Sequence, residues 1–209
     1  MYTYMCVCVK IEGNQPSNQW KKQSSFEAHN GGVNGVSWCP SSGSAVLGAP
    51  SKTNPNVGSV TKKFASCGCD NIIKIWEWNV EHSCWTSTAK LSQHTDWVRD
   101  VAWAPIPGAH SHGIVASCSE VCWTIVLFKT YTFFLKKKKK KKYIVIIWKQ
   151  KGDGWKSSAQ IHLSDRVWSV SWSELGNILA VASGENQVQL FKEGIDGKWH
   201  DVSKVNSSK

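Results

Sequence analysis

Apolar and polar positions along this chain recur in a fixed order. Val33-Asn34-Gly35-Val36-Ser37-Trp38, Val98-Arg99-Asp100-Val101-Ala102-Trp103 and Val167-Trp168-Ser169-Val170-Ser171-Trp172 all read Val-x-x-Val-(Ser/Ala)-Trp. Short runs of β-branched and small residues ending on an aromatic predict a strand in each. Cys39-Pro40 and Ala104-Pro105 stop the first two, because proline cannot donate to a ladder. A second unit follows. Phe64-Ala65-Ser66-Cys67, the turn Gly68-Cys69-Asp70-Asn71 and Ile72-Ile73-Lys74-Ile75-Trp76 predict a β-hairpin. The last copy repeats it as Ile178-Leu179-Ala180-Val181, Gly184-Glu185-Asn186 and Val188-Gln189-Leu190-Phe191. Trp85, Trp155 and Trp199 follow Trp76, Trp148 and Phe191 by 9, 7 and 8 residues, two of them after glycine-bearing turns. Each predicts a fourth, outer strand, and Trp20 marks the outer strand of a preceding, mostly absent copy.

Four short strands per copy, with a His before the first and a Trp near the end of the third, resemble the blade of a WD-repeat propeller. That resemblance implies an all-β fold and a buried hydrogen-bonded set, matched here by His29, Ser66, Asp70 and Trp76. A carboxylate that fixes an imidazole satisfies polar atoms inside a packed blade. The set is therefore expected to be structural. No nucleophile elbow or oxyanion motif accompanies it, so no catalytic residue is expected. The second copy keeps His94, Ser117 and Trp148 and lacks the Asp. In the third, Val181, Glu185 and Phe191 stand at the Ser, Asp and Trp positions, leaving apolar packing to hold it. Expected boundaries are 1–28 for the N-terminus and remnant strand, 29–92, 93–160 and 161–205 for three blades, and 206–209 for a tail. The propeller is thus incomplete, because such rings use about four to eight blades. A partial ring exposes unpaired edges and is expected to be marginal or aggregation-prone.

One hairpin is interrupted. Ser66 and Trp76 are 10 residues apart, whereas Ser117 and Trp148 are 31 apart. The excess, residues 121–141, is an apolar stretch ending at Leu135 and then lysines. The apolar part is shorter than the ~20 residues a membrane helix needs. An apolar stretch beside lysines also resembles a membrane-surface anchor. A homopolymer replacing the turn residues that a hairpin needs is expected to be translated non-coding sequence. Sequencing the transcript across the Ser119–Ile144 junction tests this, and a message carrying the insert at normal abundance would refute it.

Charge changes the picture little. The formal net charge is +10, and seven of those charges lie in the unbroken run Lys136–Lys142, leaving +3 elsewhere. A nucleic-acid reader spreads Lys and Arg over a groove or helix with aromatics interleaved. No direct nucleic-acid binding is expected. The eight cysteines follow no secretory signal and are expected to be reduced, mostly buried thiols. Cys6-x-Cys8 and Cys67-x-Cys69 are too tightly spaced for a zinc knuckle. His110 and His112 with Cys118 and Cys122 form the best metal set, but Cys118 falls in a strand pattern, so no metal or cofactor is expected.

The blade sequences carry a narrower resemblance. His94-Thr95-Asp96-Trp97-Val98-Arg99-Asp100-Val101-Ala102-Trp103-Ala104-Pro105 is similar to a signature stretch of the small propeller subunit of the outer COPII vesicle coat. So are the stretches Phe64 to Trp76, Ile114 to Ser119, and Val170 to Trp172 with Asn177 to Val181. The resemblance covers about Trp20 to Val205 apart from the insert. It implies a six-bladed, open propeller completed by a blade donated from a helical-solenoid partner. One such partner is a coat subunit at endoplasmic reticulum exit sites, and another is a nuclear-pore scaffold protein. The family is peripheral to the membrane through the coat and is not embedded in it. Trp172, Leu190 and Phe191 are expected to pack inside the final blade. Two other readings stay open: a propeller that delivers iron–sulfur clusters to cytosolic proteins, and a peptide-reading adaptor such as a ubiquitin-ligase subunit.

Overall fold

The computed structural model describes residues 5–10, 20–40, 62–105, 113–120, 143–152, 154–184 and 187–203, and among these every regular element is a strand. Three four-stranded antiparallel sheets follow one another along the chain. β1 (Met5–Lys10) and β2 (Trp20–Phe26) pair only with each other. The first sheet is β3 (Val33–Trp38), β4 (Lys63–Gly68), β5 (Ile73–Asn79) and β6 (Cys84–Leu91). The second is β7 (Val98–Trp103), β8 (Ile114–Glu120), β9 (Tyr143–Lys151) and β10 (Gly154–Leu163). The third is β11 (Val167–Trp172), β12 (Ile178–Ser183), β13 (Val188–Glu193) and β14 (Trp199–Asp201). The architecture is the one expected, with two differences. Trp20 opens a strand that has its own partner, β1, where a lone remnant was expected. The second sheet also runs past position 160, to Leu163.

The register makes the three copies equivalent residue by residue. Val36, Val101 and Val170 lie opposite Ser66, Ser117 and Val181. Each first strand carries a bulge at the same place, leaving out Asn34, Arg99 and Trp168. A bulge re-aims the extra side chain, and Asn34 uses it to donate from Nδ2 to Val98 O at 2.8 Å across the sheets.

Sheets pack face to face. Ala65, Cys67, Ile73, Ile75 and Leu91 of the first sheet close on Val98, Val101 and Trp103 of the second. Ala116, Cys118, Tyr143, Val145 and Ile147 of the second close in the same way on Val167, Val170, Leu179, Val181 and Phe191 of the third. Such fully buried aliphatics each contribute about 1.5–3 kcal/mol. In the third sheet Phe191 is buried and Trp172 packs edge-on against Trp199, ring centroids 5.7 Å apart. Leu190 departs from expectation. Strand alternation turns it to the face opposite Phe191, where it stays half-buried.

Candidate functional site

In the first sheet the chain turns from β2 into β3 through Ala28-His29-Asn30 and places the imidazole over the β4–β5 turn. His29 Nε2 lies 2.7 Å from Ser66 Oγ, and His29 Nδ1 lies 2.8 Å from Asp70 Oδ1. Trp76 Nε1 donates to the same Ser66 Oγ at 2.8 Å. His29 and Ser66 are buried, with 2% and 0% exposure. Burial lowers the His29 pKa below the ordinary histidine value, against the opposing pull of Asp70. The ring is neutral at pH 7, so one proton order satisfies every atom. The indole N–H donates to Ser66, the Ser66 hydroxyl donates to Nε2, and Nδ1–H donates to Asp70.

The turn itself is built for this. Asp70 also accepts from Asn30 N and Ile72 N, both at 3.3 Å. Asn71 has φ 65°, a left-handed conformation that asparagine tolerates. Gly68 has no room for a side chain, since a Cβ there would lie 2.7 Å from His29 Cγ.

The second sheet repeats three members. His94 Nε2 lies 2.7 Å from Ser117 Oγ, and Trp148 Nε1 donates to that oxygen at 2.9 Å. The fourth is absent, and His94 Nδ1 is buried with no hydrogen-bond partner among the described residues. With no carboxylate to oppose burial, the His94 pKa falls to about 4. Ser119 closes the mouth differently, with Oγ 2.9 Å from Asp96 O and 3.0 Å from Trp97 O. Next to it, Glu120 pairs with Arg99 at 3.0 Å and Arg166 at 3.4 Å. In the third sheet Val181, fully buried, occupies the serine position, and Glu185 lies outside the described residues.

These networks hold strands together. Ser66 is fully buried beneath the indole, so its hydroxyl meets no substrate. The arrangement fits the packed interior of a blade. Of the metal set suggested by sequence, His110, His112 and Cys122 lie outside the described residues, as do the apolar stretch and the lysine run. Cys118 is fully buried in the core, and desolvation pushes its thiol up to about 12.

The cross-sheet polar contacts are not evident from the repeat alone. Asp100 Oδ2 accepts from Ser169 Oγ at 2.6 Å and from Val170 N at 3.0 Å. Ser37 Oγ accepts from Trp103 N at 2.9 Å, and Trp172 Nε1 donates to Ala102 O at 3.1 Å. The one signal in the sequence is a carboxylate, Asp100, in a strand where the other copies carry Gly35 and Ser169.

Three four-stranded sheets stacked in series, two of them pinned by His–Ser–Trp sets, define a chain of the WD-repeat propeller class. The family model "WD domain, G-beta repeat" matches residues 20–77 and 156–192. The chain is 38% identical over 192 residues to "Protein SEC13 homolog" of Bos taurus, covering 90% of this chain and 52% of that protein. The figures for "Protein SEC13 homolog" of Homo sapiens are the same. "Protein transport protein sec13" of Aspergillus clavatus is 37% identical over 190 residues, with 90% and 55% covered. The chain belongs to the Sec13 family of WD-repeat proteins, and it spans about half the length of the relatives it matches.

Proposed function

We propose that the chain acts as a structural scaffold in protein transport, as an element of the COPII vesicle coat on the cytoplasmic face of the endoplasmic reticulum. The observation that carries this reading is the match of 90% of the chain to a relative named for protein transport. In this reading a helical-solenoid coat subunit donates strands that complete the propeller. Exposed sheet faces and strand edges suit β-augmentation, in which main-chain hydrogen bonds give affinity and side-chain pockets give specificity. The same surface would serve a nuclear-pore solenoid scaffold protein. Contact with the membrane is peripheral, through the coat.

Co-purification of the full chain at low and at high salt tests the proposal. An apolar, strand-paired interface buries over ~2,000 Å² when obligate and survives salt, whereas contacts of the lysine run are screened. Retention of a long solenoid protein at high salt is the expected result, unchanged or improved when residues 136–142 are deleted. Loss of every partner at high salt would overturn the scaffold reading.

A further inference from the structure

The bulge in each first strand re-aims one side chain at the end of the stack where those strands begin. In the first sheet that side chain, Asn34, is spent on Val98 O. In the second and third sheets it is Arg99 and Trp168, and these two meet. Arg99 Cζ lies 5.4 Å from the ring centroid of Trp97 and 5.8 Å from that of Trp168, so the two indoles stand at most about 11 Å apart. Trp97 and Trp168 are each 48% exposed. They stand at the junction of the second and third sheets, which is closed beneath them by Val167 and Val170 and by the Asp100 contacts to Ser169 and Val170. Among the described residues neither indole N–H has an acceptor, and the guanidinium of Arg99 is the one partner of each ring face. The charges nearby are already matched. Glu120 pairs with Arg99 at 3.0 Å and with Arg166 at 3.4 Å, and Asp96 Oδ1 accepts the backbone N–H of Trp97 at 2.7 Å.

We propose that Trp97, Arg99 and Trp168 form a docking surface for an uncharged, proline-rich segment of a partner protein, bound as a polyproline II helix. Charge complementarity points to this occupant. Two guanidiniums face two carboxylates in place, so an acidic peptide or a phosphate backbone finds no spare cation, and a basic peptide finds no spare anion. What the surface leaves open is two aromatic faces and two N–H donors. A polyproline II helix turns every three residues and rises about 9 Å in doing so, so prolines three apart reach both indoles. Its carbonyls carry no internal hydrogen bonds and accept from the indole N–H groups. Aromatic-lined surfaces take such segments because the helix is preformed and loses little entropy on docking. Arg99, held by Glu120, is the spacer that keeps the two rings apart. This surface lies at the strand ends, whereas the scaffold reading uses sheet faces and edges, so the two can be occupied separately.

Calorimetric titration of the full chain with a short capped peptide of alanine and proline, its prolines three apart, tests the proposal. Saturable binding that is the same at low and high salt is the expected result. Trp97→Ala and Trp168→Ala should each weaken it at least tenfold, with circular dichroism unchanged because both rings are half exposed. In the native chain the indole N–H resonances of Trp97 and Trp168, assigned by their loss in the two variants, should shift on binding. No binding, equal binding of an all-alanine peptide, tighter binding of an acidic peptide or of a single-stranded oligonucleotide, or native affinity in both variants would each overturn it. Should an alanine variant lose its circular dichroism, Trp97→Leu and Trp168→Leu keep the apolar bulk, remove the indole face and its N–H, and should show the same tenfold loss.

Discussion

The first and second sheets hold a histidine, a serine and a tryptophan in nearly the same geometry. His–Ser distances are 2.7 Å in both, and Trp–Ser distances are 2.8 and 2.9 Å. Among the described residues, only the first has a carboxylate behind the imidazole. The comparison separates two roles that the complete set runs together. The serine, donated to by the indole and bonded to the ring, is the hub that fixes position. The aspartate satisfies the outer ring nitrogen and ties the β4–β5 turn to the histidine loop. Without it the ring stays in place and one buried nitrogen finds no partner among the described residues, as in the second sheet.

The strongest way to break this comparison is at the hub. Ser66→Ala leaves two buried groups unpaired, the indole N–H and a ring nitrogen, at about 1–3 kcal/mol each. Ser117→Ala should lose a similar amount. Urea unfolding of both variants checks it, and a silent Ser117→Ala would mean that the second network is idle.

A pH series sharpens the contrast next. Both histidines have folded pKa values below the ordinary 6.5, so above that pH their full contribution is present. As pH falls through 6.5 the unfolded chain takes up protons that the folded chain refuses, and stability declines until the folded pKa is reached. For His94 that window runs from 6.5 to about 4 and amounts to about 3 kcal/mol. His94→Gln should flatten the acid-side loss of stability relative to the native chain, measured as unfolding midpoints at pH 7 and 4.5.

Asp70→Ala should cost about 1–3 kcal/mol by stranding the His29 ring, with Asp70→Asn milder because its amide oxygen still accepts. The variant first sheet then has the partner count of the native second sheet, and the native-versus-variant difference in chemical denaturation measures what the second sheet forgoes. The smallest effect belongs to Glu120→Gln. Its pairs with Arg99 and Arg166 are partly exposed, so the loss should stay below about 1 kcal/mol and shrink further in high salt.

The repeated Val-x-x-Val-(Ser/Ala)-Trp segments, the Gly68–Asn71 turn and the spaced tryptophans made the strands and their order legible from sequence, because period-two patterning and turn chemistry are local. The His29, Ser66, Asp70 and Trp76 set was legible for a related reason. A family pattern fixes where each member falls, and the same pattern located the serine hub of the second copy. Strand β1 was not legible, since Met5–Lys10 carries no copy of the repeat and becomes a strand only through its edge pairing with β2. Nor was the side to which Leu190 turns. The strand was plain, but which of its two faces meets the second sheet depends on register against β12. The Asp100 contacts to Ser169 and Val170 join residues 69 and 70 positions apart, and no local rule brings them together. Sequence by itself determined the elements and the buried polar sets, through short-range geometry and a recurring motif. The stacking of one sheet's back on the next sheet's front decided which valines are buried and which stand open, because burial belongs to the neighbour and not to the strand.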